Sequence, residues 1–375
     1  MGKIGKSLFA SSYLIILIMV GCDTKYSQNE IYIRPELDEE YYKTALSSVN
    51  RAIENRPSSA DAHYKRALLL EALSDYKSAI TNARKAIELN DGKPEYYLCL
   101  ARNSYLDQNI EGALKAAHQV ENMQRGTAQL YRLIADLYQD QGNHSEALNY
   151  NNQLMRLSNK SSDHFQRGAI LWSQGDSIKA VESLKYSIDL DSTFEQSYDK
   201  LAQIYLLTHQ YDSAHQFLDK AMALDGNDID RIFTKGEIFK QEGKRDSALT
   251  AFRKILNIDS RHIASVFEIS QLFLEKYRYD SANFYANRIL DLSPGDRRAK
   301  LMEARILDKR GFYNGAMQKY QELIEQDSTF NLAFQELEKL KRKVAYLRKL
   351  KEEQQAGRDL PILRPKNIKT GNSSR

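Results

Sequence analysis

Alanine returns at a fixed interval along most of this chain. Aligning DYKSAI, NIEGAL, NHSEAL, DSIKAV, QYDSAH, KRDSAL, RYDSAN and FYNGAM puts Ala79, Ala113, Ala147, Ala180, Ala214, Ala248, Ala282 and Ala316 in one column. Successive steps are 34 residues, with a single step of 33, and Ala45 of YYKTAL lies a further 34 upstream. Twelve residues before the eight alanines stand Ala67, Ala101, Ala135, Gly168, Ala202, Gly236, Ser270 and Ala304, all small. Small residues at both places let two consecutive helices cross with their backbones close together. Gly142, Gly175, Gly243 and Gly311 fall between the two helices, where a left-handed residue ends the first one cheaply. Leu184, Leu218, Phe252 and Tyr320 follow the marker alanine by one turn on the same face. A helical hairpin of this length cannot bury its apolar face alone, so repetition implies a linear stack with neighbour-only contacts. Composition agrees: six Pro and 17 Gly in 375 residues disfavour an all-β chain, and 42% hydrophobic residues suffice for a continuous core.

The pattern resembles the tetratricopeptide repeat, over roughly residues 60–330. Departures are visible. The Trp usual early in the first helix is replaced by His63, Tyr97, Tyr131, His164, Tyr198, Ile232, Val266 and Lys300. The closing Pro survives as Pro57 and Pro294, while Asp91, Ser192, Gly226, Ser260 and Ser328 break the second helix elsewhere. The resemblance implies an all-α solenoid, a right-handed superhelix of about eight repeats at 60–93, 94–127, 128–160, 161–194, 195–228, 229–262, 263–296 and 297–330. Residues 37–58 read as a lone second helix capping the first repeat. Residues 331–356 read as a charged capping helix, and 357–375 as a basic disordered tail.

In that family the first helix of each repeat lines a concave groove where partner peptides lie. The matching positions present charged and apolar residues in alternation, among them Leu98, Arg102, Arg132, Asp136, Leu206, Lys240 and Arg305. The aromatic set Tyr64, Tyr105, Phe165, Trp172, Phe233 and Phe267 is the candidate binding surface. Large aromatics bury much area with few rotors, which suits a hot spot. The same residues would instead pad the core between repeats if the register were off by one. The Lys/Asn carboxylate clamp of chaperone-binding members is not matched, since Tyr64, Leu68, Leu98 and Arg102 occupy its first places.

Residues 1–21 have the layout of a signal peptide: Lys3 and Lys6, then an apolar run from about Leu8 to Gly21, too short to span a bilayer comfortably. Met19-Val20-Gly21-Cys22 resembles the lipobox of bacterial lipoproteins, with Met19 where Leu is preferred. That resemblance implies cleavage before Cys22, a diacylglycerol on its thiol, and a polar tether over residues 22–36. Two or three acyl chains hold a protein stably, at about 0.8 kcal/mol per buried methylene. An ordinary secretory signal and a retained membrane anchor are the other readings of the same residues. Asp23 would favour inner-membrane retention under the enterobacterial sorting rule. Cys99, in the apolar context YYLCLA, is the only other cysteine and reads as a packed small hydrophobe.

The net charge of +4 is unevenly placed. Beyond residue 330 stand twelve Lys/Arg against five Asp/Glu, with Lys3 and Lys6 in the leader, so the segment between carries −5. The repeats therefore offer no nucleic-acid footprint. Phe330, Ala333, Leu337, Leu340, Val344 and Leu347 form a 3-4 stripe that suits a cap on the last repeat; a coiled coil would span under three heptads. The basic surplus suits anionic lipid, an acidic partner or plain solvation. The seven histidines lack metal-ligand spacing, there is no phosphate loop, and Ser74-Asp-Tyr-Lys77 falls on an interhelical turn. The expectation is a non-enzymatic adaptor of the bacterial cell envelope, without cofactor, metal or nucleic acid, binding other envelope proteins or peptides and held to the membrane by its lipid. A subunit of a secretion, pilus or outer-membrane assembly machine and a peptidoglycan binder are the alternatives.

Overall fold

The computed structural model describes residues 39–123 and 126–355. The signal peptide, Cys22, the tether and the tail from residue 357 lie outside the described residues. Eighteen helices and no strand occur among those described. The chain divides into two compact units, Met1–Leu201 and Ala202–Arg375, with the division inside a helix.

The first unit holds a lone helix α1 (Glu39–Asn55), followed by hairpins α2 (Ala60–Ala72) with α3 (Tyr76–Leu89) and α4 (Pro94–Leu106) with α5 (Ile110–Met123). Next come α6 (Ala128–Asp140) with α7 (His144–Met155), then α8 (Ser161–Gln174) with α9 (Ser177–Leu190), and the first turns of α10 (Glu195–Leu207). The second unit holds the remainder of α10 with α11 (Tyr211–Leu224), then α12 (Ile229–Gln241) with α13 (Arg245–Ile258). It continues with α14 (Ile263–Glu275) and α15 (Tyr279–Leu292), α16 (Arg297–Lys309) and α17 (Tyr313–Gln326), and the long α18 (Asn331–Gln355). Each unit is a row of helical hairpins packed side by side, the architecture of an α-solenoid.

The recurring small residues sit where the two helices of a hairpin cross. All eight marker alanines are fully buried, and so are the small residues twelve positions earlier. Their size is required. A Cβ on Gly168 would stand 2.7 Å from Leu184 Cγ and 3.1 Å from the Ala180 carbonyl. On Gly236 it would stand 2.5 Å from the Phe252 ring. Ser270 is tolerated because its hydroxyl donates at 2.8 Å to the carbonyl of the facing Ala282. Around these crossings Leu, Ile and Phe side chains close, each contributing about 1.5–3 kcal/mol on full burial.

Every hairpin turns on a left-handed residue at the same repeat position. Gly142, Gly175, Gly243 and Gly311 have φ of 76°, 93°, 79° and 88°. The other four hairpins place Ser74, Gln108, His209 and Tyr277 there, at φ 60°, 68°, 58° and 58°. In each case the following N–H reaches back five residues, as Asp75 does to the Leu70 carbonyl at 2.9 Å and Arg278 to that of Phe273 at 2.9 Å. The turn is thus set by the backbone geometry of the crossing, and glycine only makes it cheaper. That next residue often caps the second helix, as when Asp75 accepts from the Ser78 N–H at 3.2 Å.

Both ends are covered by single helices. α1 buries Tyr42 and Val49 against Leu69 of α2. α18 buries Ala333, Leu337 and Leu340 against Tyr320 and Leu323 of α17, with Phe330 and Val344 alongside. The apolar stripe of α18 is therefore used within its own unit as far as Val344. No helix among the described residues is long and apolar enough to cross a membrane.

Two substitutions test this construction. Gly236→Val lowers stability by about 1–3 kcal/mol through overpacking against Phe252, despite the helix propensity gained; Gly295→Val, with open space around it, shows no comparable loss in urea unfolding. Tyr277→Gly raises stability by roughly 0.5–1 kcal/mol by relieving the left-handed backbone of a non-glycine residue, read as a higher melting temperature.

Candidate functional site

The first helix of each hairpin carries the candidate partner-binding residues, and all six sequence-selected aromatics are half-buried. Five of the rings pack on neighbouring side chains. Tyr64 lies 4.9 Å from the Tyr96 ring and against the cluster of Ala67, Ala79, Ala83 and Cys99. Burial pushes its hydroxyl up to about 12. Tyr105 packs beside Leu130 and Ile134 of the next repeat, and its hydroxyl donates to Asp140 Oδ2 at 2.8 Å. Phe165 meets Phe194 edge-on at 5.6 Å. Trp172 closes the last turns of α8, where its carbonyl accepts the Gly175 N–H at 3.0 Å.

In the second unit Phe233 lies 5.2 Å from the Phe252 ring and 5.9 Å from His262. The Arg298 guanidinium stands 5.7 Å from the centre of the Phe267 ring. Phe233 and Phe267 border one core cluster, whereas Tyr64 and Tyr105 belong to different ones. In the first unit the aromatics sit on α2, α4 and α8, and in the second on α12 and α14.

The charged residues of the same helices are largely committed to one another across repeat boundaries. Arg102 donates to both Glu71 oxygens, at 2.5 and 2.8 Å. Arg132 makes two hydrogen bonds to Asp163, one at 3.0 Å. Asp163 is fully buried; burial acts to raise its pKa, but Ser158 and Arg132 hold the carboxylate below its ordinary range. Lys240 bridges Glu237 and Glu268 at 2.8 and 2.6 Å, and Arg305 meets Glu336 at 3.0 Å. Partly buried charges paired in this way clamp one repeat to the next.

Asp136 is the exception. It receives the Gln166 amide at 2.6 Å, while its neighbour Arg132 is engaged by Asp163. Burial pushes the Asp136 carboxyl up to about 7; Gln166 opposes the rise, Asp140 adds to it and Arg132 opposes it.

The sequence-level choice of groove residues misses one position on α16, where Leu301 is buried in a core cluster, and one on α10. Leu206 is buried, and the exposed side chain is its neighbour Leu207, 61% accessible. Counting from the marker residues offers both leucines, and residue type does not choose between them. Cys99 is fully buried and burial pushes its thiol up to about 12, so it packs as a small apolar side chain. His63 is engaged by the Pro57 carbonyl at 3.0 Å. Among the described residues no group of His, Cys, Asp and Glu is placed to hold a metal ion. Ser74 sits on the left-handed turn and Lys77 is exposed.

Stacked hairpins that cross on small residues and are stitched by interhelical ion pairs define an α-solenoid scaffold. The chain carries tetratricopeptide repeats: that family's pattern matches residues 36–94 and 230–262. Human protein O-mannosyl-transferase TMTC1 is 27% identical over 191 residues, covering 50% of this chain and 21% of that protein. The chain thus spans about a fifth of the length of that curated relative.

Among solved structures, the APC/C hetero-tetramer Cut9-Hcn1 is 15% identical, with a TM-score of 0.53 over 71% of this chain and 52% of that one. PilW, a widely conserved type IV pilus biogenesis factor, is 16% identical, with a TM-score of 0.50 over 54% of this chain and 94% of that one. The human IFIT1 dimer with PPP-AAAA is 17% identical, with a TM-score of 0.51 over 76% of this chain and 69% of that one. At these identities the likeness is one of fold.

Asp136 gives a pH prediction. Its folded pKa of about 7 lies above the ordinary 3.8, so the folded state holds the extra proton between those values and stability falls as pH rises through them. Asp136→Asn, which keeps an acceptor for Gln166, raises the melting temperature at pH 8 by several degrees, at about 2–4 °C per kcal/mol. The gain shrinks as pH falls towards 5; an equal gain at both pH values would mean that the carboxyl does not titrate there.

Proposed function

We propose that this chain is a membrane-anchored, non-catalytic adaptor of the bacterial cell envelope that binds partner peptides or proteins along the first-helix faces of its repeats. The observation that carries the reading is the set of six half-buried aromatics on those faces, five of which pack on neighbouring side chains. A ring already fixed by its neighbours loses little entropy when a partner covers it. The surrounding charges are engaged between repeats, which leaves apolar and aromatic area as the main contribution to affinity.

Anchoring and envelope location rest on the leader ending in Met19-Val20-Gly21-Cys22. The mannosyl-transferase activity in the relative's name belongs to a protein of which this chain matches a fifth, and we do not carry it over. A dedicated role in an assembly machine is the second reading, favoured by the shared fold with a pilus biogenesis factor. A single stoichiometric partner would distinguish it from a general adaptor.

The test is affinity capture of the tagged, detergent-solubilised protein from its native envelope, with Trp172→Ala run in parallel. A discrete protein recovered with wild type should fall at least about tenfold with the variant, the size expected for a hot-spot aromatic, while circular dichroism stays helical. Equal recovery from both, or capture of wall glycan alone, would remove this face as the binding surface.

A further inference from the structure

The second unit carries a surface that the repeat packing does not use. From Lys339 to Lys351 the sequence reads KLKRKVAYLRKLK, seven cations in thirteen residues with no anion. All of it lies in α18. The first half of the helix is seated on α17, and beyond Val344 no residue belongs to that core cluster. There Tyr346 and Leu347, consecutive in the helix and about 100° apart around its axis, are 53% and 40% exposed within the basic run.

Lys339, Arg342, Tyr346 and Lys349 fall at i, i+3, i+7 and i+10, one stripe along the helix. The ion pairs of this stripe are surface contacts of low worth: Lys339 reaches Glu336 and Lys349 reaches Glu353, each at 3.8 Å. They can be exchanged for another anion at little cost.

We propose that this end of α18 rests on an anionic lipid surface, with Tyr346 and Leu347 at the headgroup boundary and the surrounding Lys and Arg side chains on lipid phosphates. Charge complementarity identifies an anionic occupant. The two exposed apolar side chains select a bilayer among anionic occupants. A phosphate backbone or an acidic peptide would neutralise the cations and leave an adjacent Tyr and Leu in water, whereas a membrane interface accepts both kinds of group. Long Lys and Arg stems lie along the apolar level while their charges stay with the headgroups. The inference deepens the membrane placement proposed above and rests on it: a second attachment would hold α18 to the bilayer that the N-terminal lipid enters.

Co-sedimentation of the full chain with vesicles tests it. Phosphatidylcholine vesicles are compared with phosphatidylcholine–phosphatidylglycerol vesicles, at low and high salt. Any acyl group on Cys22 contributes alike to both vesicle types, so their ratio is separate from the anchor and from partner capture, and the α18 variants separate that helix from the basic residues beyond it. The expected result is a preference for the anionic vesicles of at least about tenfold at low salt, given the worth of several cations near such a surface, lost at high salt. The Lys339→Gln/Arg342→Gln/Lys349→Gln variant abolishes the preference, and Tyr346→Ser/Leu347→Ser weakens binding to the anionic vesicles; all five side chains lie outside the core, so both variants stay folded. Equal binding to both vesicle types overturns the proposal. So does a preference untouched by either variant, or binding to soluble polyglutamate as tight as to anionic vesicles.

Discussion

Everything in this molecule depends on how closely two helices of one hairpin can approach. The crossing of α12 and α13 leaves no room for even a methyl group at Gly236, and the same contact recurs at every repeat with Ala, Gly or Ser in its place. A close crossing fixes the angle and register of the pair. That geometry then dictates the left-handed residue in the turn and the place where the following hairpin can lie. Because each step uses only neighbouring helices, stability accumulates along the chain rather than in one centre. Contacts close in sequence also form early and rapidly in folding.

The repeat was legible because its strongest constraint acts on residue size, which a sequence displays directly. Marker alanines and the small residues twelve positions before them are all buried at the crossings. Conformation was less visible than size. Four glycines disclose the left-handed turn, but Ser74, Gln108, His209 and Tyr277 adopt it without any residue-level sign. Tertiary packing imposes the backbone there, at an energetic cost of roughly 1–2 kcal/mol each. The candidate site was the least legible part. Helical periodicity tells which side of α10 faces out but does not separate Leu206 from Leu207. It also conceals that Arg102, Arg132 and Lys240 already have partners one repeat away.

Those ion pairs bear on how the scaffold meets another molecule. Charges engaged by a neighbouring repeat resist bending at that joint, because opening the joint would leave a partly desolvated ion alone. They also leave aromatic and aliphatic area on the first-helix faces outside the ion pairs. Asp136 stands apart from that logic, holding a half-buried carboxyl with a neutral amide as its hydrogen-bond donor. Placed among committed pairs, it makes one joint of the first unit less stable as pH rises towards neutrality.

α18 continues the stack by occupying the place of a further first helix, yet it departs from the rule that built the stack. The position that in every repeat holds a small residue holds Glu338, which bonds Lys341 at 2.8 Å, and Phe334, one turn earlier, is 55% exposed. A second helix cannot approach that face as α17 approaches α16. Linear repeats face the hazard of any one-dimensional lattice: an open end is a template for another copy, and copies added head to tail grow into fibres. On α18 a carboxylate, Glu338, stands where such an addition would need a small residue.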